Sequence, residues 1–228
     1  LQQKISAKVT GFTSDIQVRT LDLNQSMELS PLNVDSTLIN RLSAIDGVAH
    51  LQMQITKNAL LKTETDFEGI LVKGVDANYN WDFITEHLVE GELPNFNSTK
   101  KSNEIAISKS LSAKLQLQMY DQAFVYFQGL KNNNALIRKF TVKAIYETGI
   151  EFFDNMYIFA DSRHLQKINN WNSNQCSSLE LLLSENANKE QVYIEVDRES
   201  PYDTSISSAR ELYPQIFDWI NLFDLNTL

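Results

Sequence analysis

From Val48 to Leu61 apolar and polar residues mostly alternate, so Leu51, Met53, Ile55, Ala59 and Leu61 share one side of a long strand. The polar turn Lys62 to Asp66 follows, and Phe67 to Val75 returns as a second strand, which predicts an antiparallel pair. Ile16 to Leu21 alternates over a shorter span and also predicts a strand. Other segments keep the helical period instead. Leu1, Ile5 and Val9 are spaced by four and predict a helix stopped at Gly11. Leu38, Ile39, Leu42 and Ile45 share the face of a helix capped by Asp35 or Ser36 and ended by Gly47.

The stretch Ile70 to Gln128 is the best punctuated, being flanked by Gly69 and Gly129 and divided by Gly74, Gly91 and Pro94. It predicts a strand to Val75, a short helix over Trp81 to Leu88, and a strand over Glu104 to Ile107. A helix from Lys109 to Leu117 capped by Ser108 follows, then a strand over Gln122 to Gln128. The turn-rich Gly129 to Asn134 and the strand Leu136 to Tyr146 complete a hairpin. Asn155 to Ala160 predicts a strand, and Asp161 caps a helix carrying Leu165 and Ile168. Leu179 to Ser184 is a further strand. In Lys189 to Val196 the residues Val192, Ile194 and Val196 alternate, but Val192 and Val196 also fit a helix face, and a helix is expected. Ile206 to Ala209 is a short strand, and Glu211 to Leu225 an amphipathic helix with Pro214 in its first turn. Strands and helices mix without strict alternation, which predicts an α+β fold. The weakest joints lie near Asp76 and Gly149, so 76–150 is expected to be an inserted subdomain.

Composition narrows the function. The 228 residues are 43% hydrophobic and carry a net charge of -9, which disfavours nucleic acid and anionic lipid surfaces as partners. Cys176 is the only cysteine, so no intrachain disulfide forms. No apolar run reaches the roughly 18 residues of a membrane span. The opening on Leu1-Gln2-Gln3 and the hydrophobic closing helix are expected to continue into a longer protein.

Candidate chemistry is thin. His50, His87 and His164 lack the short spacing of zinc ligands. Glu147, Glu151 and Asp154 cluster around Gly149, but Phe152-Phe153 splits them, and a solvated loop is the expectation. Gly69 and Gly74 lack the third glycine of a nucleotide loop. Asn24-Gln25-Ser26 and Asn97-Ser98-Thr99 match the glycosylation triplet, which has meaning only in a eukaryotic secretory context. No catalytic, cofactor or metal residue is assigned, and the chain is expected not to be an enzyme.

The order of several motifs resembles the large extracytoplasmic domain of ABC-transporter permeases of the FtsX-like or MacB-like, lipoprotein-releasing type. Gln2 to Val18 resembles the end of the family's first membrane helix and the strand after it, and Ile45-Asp46-Gly47-Val48 its step from helix to strand. Leu71 to Asp76, with Gly74 and Asp76, matches its Gly-Val-Asp turn, and Gly91 with Pro94 its turn glycine. Glu104-Ile105-Ala106-Ile107-Ser108 with Leu111, Leu115 and Leu117 matches its most specific segment, with Ser112 in place of alanine. Tyr120-Asp121 stands where the family often has Gly-Asp, which predicts a rebuilt turn.

The resemblance implies two subdomains with mixed or antiparallel sheets. These are a porter-like one over 12–75 and 151–210, and a sabre-like one over 76–150. Helices over 1–11 and 211–228 would lead from and to membrane spans. It places the domain in the periplasm, at the cell inner membrane. It implies that cytoplasmic ATP hydrolysis is coupled mechanically to lipoprotein release or export of periplasmic cargo. The implied partners are a second permease subunit, a cytoplasmic ATPase and a periplasmic lipoprotein carrier or cargo, with no cofactor and no nucleic acid in this domain. The hairpin loop residues Leu130, Lys131, Asn132, Asn133 and Asn134 are the partner-binding candidates. This loop is short and proline-free, unlike the carrier-hooking hairpin of one lipoprotein-releasing subunit. That implies the non-hooking subunit type or a relative with other cargo. The alternatives are a ligand-binding or sensor domain of a membrane receptor, and a hydrolase with an unrecognised site.

Overall fold

A computed structural model describes residues 2–22, 30–129 and 134–218. In chain order the elements are α1 (Gln2–Thr13), β1 (Ile16–Thr20), β2 (Leu32–Asn33), α2 (Ser36–Ser43), β3 (Val48–Lys62), β4 (Phe67–Val75), α3 (Asp82–Glu86), β5 (Leu88–Gly91), β6 (Glu104–Ser108) and α4 (Lys109–Leu115). They continue with β7 (Gln122–Gln128), β8 (Ala135–Tyr146), α5 (Glu151–Met156), β9 (Tyr157–Asp161), α6 (Ser162–Asn169), β10 (Gln175–Cys176), β11 (Ser178–Leu183), α7 (Lys189–Glu199), β12 (Thr204–Ser208) and α8 (Ala209–Leu212). Residues 214–218 are helical again. The fold is α+β, as expected. The helix predicted over Glu211 to Leu225 is interrupted at Tyr213, and its later residues lie outside the described ones.

Ten strands form one sheet in the order β12-β1-β11-β3-β4-β9-β6-β8-β5, with β7 pairing both β3 and β8. β4–β9 and β6–β8 are parallel pairs; the others are antiparallel. The pairings β3–β4, β4–β9, β9–β6, β6–β8, β8–β7 and β7–β3 close a ring of six strands. Three of them, β6, β7 and β8, come from 76–150.

Period-two alternation fills the ring. Leu61, Ile70, Val72, Ile105, Val125, Phe140, Val142 and Ile158 belong to one buried cluster, which runs on under β1 and β11 to α2 and α7. A second, aromatic cluster lies on the opposite face of the strands. There Phe12 stacks on Phe153 at 4.3 Å and meets Tyr157, Phe159 and Tyr146 at 5.2, 5.5 and 6.4 Å. The cluster joins α1 and α5 to residues 209–217.

Local caps are set as the sequence predicts. Asp35, Ser108 and Asp161 accept N–H bonds at the starts of α2, α4 and α6. Four expectations are corrected. First, α1 passes through Gly11 and ends at Thr13. Gly11 is small because Phe83 packs on it: an added Cβ would lie 2.4 Å from the Phe83 ring. Second, the acidic segment near Gly149 is not a solvated loop but a turn leading into α5, locked by buried Asp154. Its carboxylate accepts from Thr148 N, Thr148 Oγ1 and Gly149 N at 3.0, 2.9 and 2.9 Å. Third, the turn at Tyr120 is not rebuilt. Tyr120 holds φ +69 itself, with its side chain exposed, its N–H donated to Val142 O at 2.8 Å, and Lys143 Nζ 5.7 Å from the ring centre. Fourth, Leu88 leaves the predicted helix to start β5, which pairs β8.

Gly91 ends β5 at φ +86, where an added Cβ would lie 2.3 Å from Lys143 O. Gly91→Ala is therefore expected to lower the unfolding free energy by about 2 kcal/mol in urea denaturation. An unchanged midpoint would mean that the β5–β8 turn relaxes freely.

Candidate functional site

The sheet face that continues the ring's outer side onto β1 and β11 carries a polar strip where apolar residues would ordinarily sit. Gln17 on β1, Glu180 on β11, Gln52 and Gln54 on β3 and Lys73 on β4 are all buried. Register explains the grouping: Glu180 opposes both Gln17 and Gln52, and Lys73 opposes Thr56. The Lys73 ammonium and Glu180 carboxylate lie 2.8 Å apart with side chains 4% and 1% exposed. Lys73 Nζ also donates to Phe12 O at 2.9 Å and sits 5.5 and 5.4 Å from the ring centres of Phe12 and Tyr79. Gln52 Nε2 donates to Glu180 at 2.8 Å, while its Oε1 accepts from Asn80 N at 2.8 Å. Gln54 Nε2 donates to Ser178 Oγ at 2.7 Å, and Gln17 Nε2 donates to Thr13 O at 2.8 Å.

A cleft of about 490 Å³ opens over this strip, lined by Arg19, Gln54, Thr56, Asn58, Lys73 and Tyr213 among others. That is the size of a small-ligand pocket. Burial pushes the phenols of Tyr79, Tyr157 and Tyr213 upward, so they stay neutral. Gln17, Gln52, Gln54, Lys73 and Glu180 each already bond within the protein. The strip therefore ties α1 to β1, β3, β4 and β11 rather than presenting an activated nucleophile–base pair.

The sequence-marked residues scatter. Gly74 gives α6 its seat, since a Cβ there would lie 2.7 Å from Leu165 Cδ1. Asp76 accepts from Asn78 N at 2.9 Å, and burial raises its pKa. Glu104 opens β6 and accepts from Asn95 N at 3.4 Å. Ile107, Leu111 and Leu115 are core residues. These positions build the fold and do not meet at one site. Leu130, Lys131, Asn132 and Asn133 lie outside the described residues; Asn134 is exposed, and its carbonyl accepts from Gly129 N at 3.0 Å. Asn24-Gln25-Ser26 also lies outside them.

Leu60, Phe67, Phe124 and Ile137 are exposed on the outer face of β3, β4, β7 and β8. Two cross-strand rows set them together: Leu60–Tyr126–Ile137, and Phe67–Lys62–Phe124–Lys139. The Cys176 thiol is buried, and burial, helped by Asp76 and Glu180, pushes it up to about 12. Among the described residues, no group of three His, Cys, Asp or Glu side chains is placed to hold a metal ion, and no helix is long and apolar enough to cross a membrane. The polar strip was missed from sequence, yet its signal is there. Lys73 and Glu180 are lone charges inside the apolar strands Ile70 to Val75 and Leu179 to Leu183.

No protein-family model matches the chain, and no curated protein matches it. Solved structures do share its fold, two of them as follows. One is the extracellular domain of the noncanonic ABC-type transporter YknZ from Gram-positive bacteria, at TM-score 0.57 and 12% identity, covering 85% of this chain and 99% of that one. The other is the periplasmic region of MacB from Actinobacillus actinomycetemcomitans, at TM-score 0.57 and 14% identity, covering 94% and 98%. The chain thus has the fold of extracytoplasmic ABC-transporter domains.

Two outcomes follow from the buried polar groups. Lys73→Met leaves the Glu180 carboxylate without its cation and is expected to cost about 3–5 kcal/mol of unfolding free energy. Adding Glu180→Leu to it should recover most of the loss, and equal losses in the single and double variants would deny the coupling. The second outcome concerns His164. Burial, the largest cause, and the nearby Lys101 and Arg138 lower its pKa. Its Nε2 bonds Ser102 O at 2.8 Å, while its buried Nδ1 has no partner among the described residues. A folded pKa below the unfolded value near 6.5 means that the unfolded chain takes the proton first. This stability is whole above about pH 6.5 and is lost as pH falls below it. The urea midpoint should drop between about pH 7 and pH 5, and drop less in His164→Gln; equal drops would remove His164 as the cause.

Proposed function

We propose that the chain is the extracytoplasmic domain of a permease subunit of the FtsX-like or MacB-like type. It works mechanically, while a cytoplasmic partner hydrolyses ATP. The observation that carries this is the fold shared along 94% of the chain and 98% of the periplasmic region of MacB. The motif order around Gly74, Gly91 and Glu104 to Leu115 supports it independently of shape. On this proposal 12–75 with 151–210 form the porter-like part and 76–150 the sabre-like part, on the periplasmic side of the inner membrane. The domain carries no reaction and no cofactor. It pairs with a second permease subunit and hands over a periplasmic cargo, with lipoprotein release as the finer assignment. The exposed rows Leu60–Tyr126–Ile137 and Phe67–Lys62–Phe124–Lys139, on the paired strands β3, β4, β7 and β8, offer a contact face for that cargo or its carrier.

The cleft over the polar strip favours a second reading, a ligand-binding or sensor domain of a membrane receptor. The full-length protein separates the two. A permease has one hydrophobic span ahead of this domain and three after it. Extracted from membranes in detergent, it is expected to co-purify with a nucleotide-hydrolysing subunit whose turnover rises when the two are joined. A signalling module after the domain, with no such subunit, would overturn the permease assignment in favour of the sensor.

A further inference from the structure

We infer that the face made by the 98–102 loop, α6 and the start of β8 is a binding site for a phosphate-bearing anion. Arg163 and His164, consecutive on α6, grip the loop from below. Arg163 Nη1 donates to Ser98 O at 2.7 Å and its Nη2 to Lys100 O at 3.2 Å. His164 holds Ser102 O, and Ser102 N donates to Asp161 at 2.8 Å. Lys101 is therefore fixed between two anchored neighbours. Lys167 lies four residues after Arg163 and three after His164, on the same helical face. On β8, Phe140 meets the His164 ring edge-on at 4.9 Å, and Arg138 is two residues away on the same side of the strand. Thr141 N donates to Asn103 O at 2.8 Å, which ties the loop's end to β8.

Three elements thus bring Lys101, Lys167 and Arg138 around His164, in a chain of net charge -9. Asp161 attracts Lys101 but is shared with Arg163, so it compensates the cluster only in part. Asp161 is buried and engaged by Arg163 at 2.5 to 3.1 Å as well as by two backbone amides. Glu104, next along, turns to Asn95 N. Among the described residues neither exposed lysine ammonium has a bonded partner, and partial burial, followed by repulsion from Lys167 and Arg138, holds the Lys101 ammonium below its ordinary range. Cations crowded on a locked frame are poorly compensated in the free protein, and an oxyanion among them removes that penalty. A tetrahedral phosphate oxyanion accepts from several donors at once, which fits this cluster better than a single carboxylate. The chain's overall negative charge opposes approach from a distance, so binding is short-ranged and weakened by salt. This site stands on side-chain placement alone and holds under either function proposed above.

Two probes test it on this chain: inorganic pyrophosphate by titration calorimetry, and sedimentation with phosphatidylglycerol vesicles against phosphatidylcholine ones. Binding of at least one anionic probe is expected at low salt, weakened about tenfold in Lys101→Gln and in Lys167→Gln. Lys114→Gln, on α4, should leave it unchanged. Response to both probes, with pyrophosphate displacing vesicles, identifies a lipid headgroup as a source; response to pyrophosphate alone identifies a free phosphate. Without a probe, Lys101→Gln should melt no lower than the parent, because it removes repulsion rather than a bond. No binding to either probe, or binding that survives both substitutions, overturns the site.

Discussion

Strand β3 is longer than any single neighbour, and the molecule is arranged around how its two edges are shared. One edge pairs β4 from Gln54 to Lys62. The other pairs β11 from Val48 to Gln54, and then β7 from Leu60 to Lys62. Between those two partners the edge near Thr56 to Asn58 has no strand beside it among the described residues. A backbone N–H left there without a partner costs free energy, and Thr56 N meets this by donating to Ser177 Oγ at 3.0 Å. The handover from β11 to β7 closes the six-strand ring, and the interval it leaves is where the cleft opens. Ring and cleft are two results of one strand's length.

The same strand fixes what each face contains. Side chains alternate, so a slip of one residue would exchange Leu51, Met53 and Ile55 for Gln52, Gln54 and Thr56 inside the core. Val72 and Lys73, or Leu179 and Glu180, would exchange in the same way. The buried Lys73–Glu180 pair adds little net stability, since desolvation offsets most of its attraction. Its effect is on register, because any other pairing buries one charge without the other. The aromatic cluster lies directly beside this pair. Phe12 contributes both a carbonyl to Lys73 and a ring to Phe153, so α1 cannot shift without disturbing β4, β9 and α5 together.

Much of the local structure was legible because its causes are local. The β3–β4 hairpin, the caps at Asp35, Ser108 and Asp161, and the β7–β8 hairpin follow from neighbouring residues. What was misread depends on residues far away in the chain. Gly11 looks like a helix stop until Phe83 is seen against it. The acidic segment at Gly149 looks solvated until Asp154 is found binding back to Thr148 and Gly149 under Ser108, whose hydroxyl donates to Asp154 O. Tyr120 looks unable to hold positive φ, but an exposed side chain leaves room for it. Ring closure was invisible because β7 meets β3 about sixty residues upstream, with no local signal. Of the candidate site, the charges Lys73 and Glu180 could be seen as anomalies in apolar strands, but not as partners.

These constraints bear on how such a domain would transmit motion. A closed ring of hydrogen-bonded strands resists internal shear, since displacing one strand breaks ladders on both sides. The elements that can pass a force to it are those attached on one face only. α1 and residues 209–217 meet over the aromatic cluster, and Ala209 N donates to Asp15 O at 3.0 Å just beyond α1. A force on α1 is thus delivered through Phe12 and Lys73 to the strands as a whole. The exposed rows Leu60–Tyr126–Ile137 and Phe67–Lys62–Phe124–Lys139 belong to that same ring. On the proposed function they would follow as one rigid body.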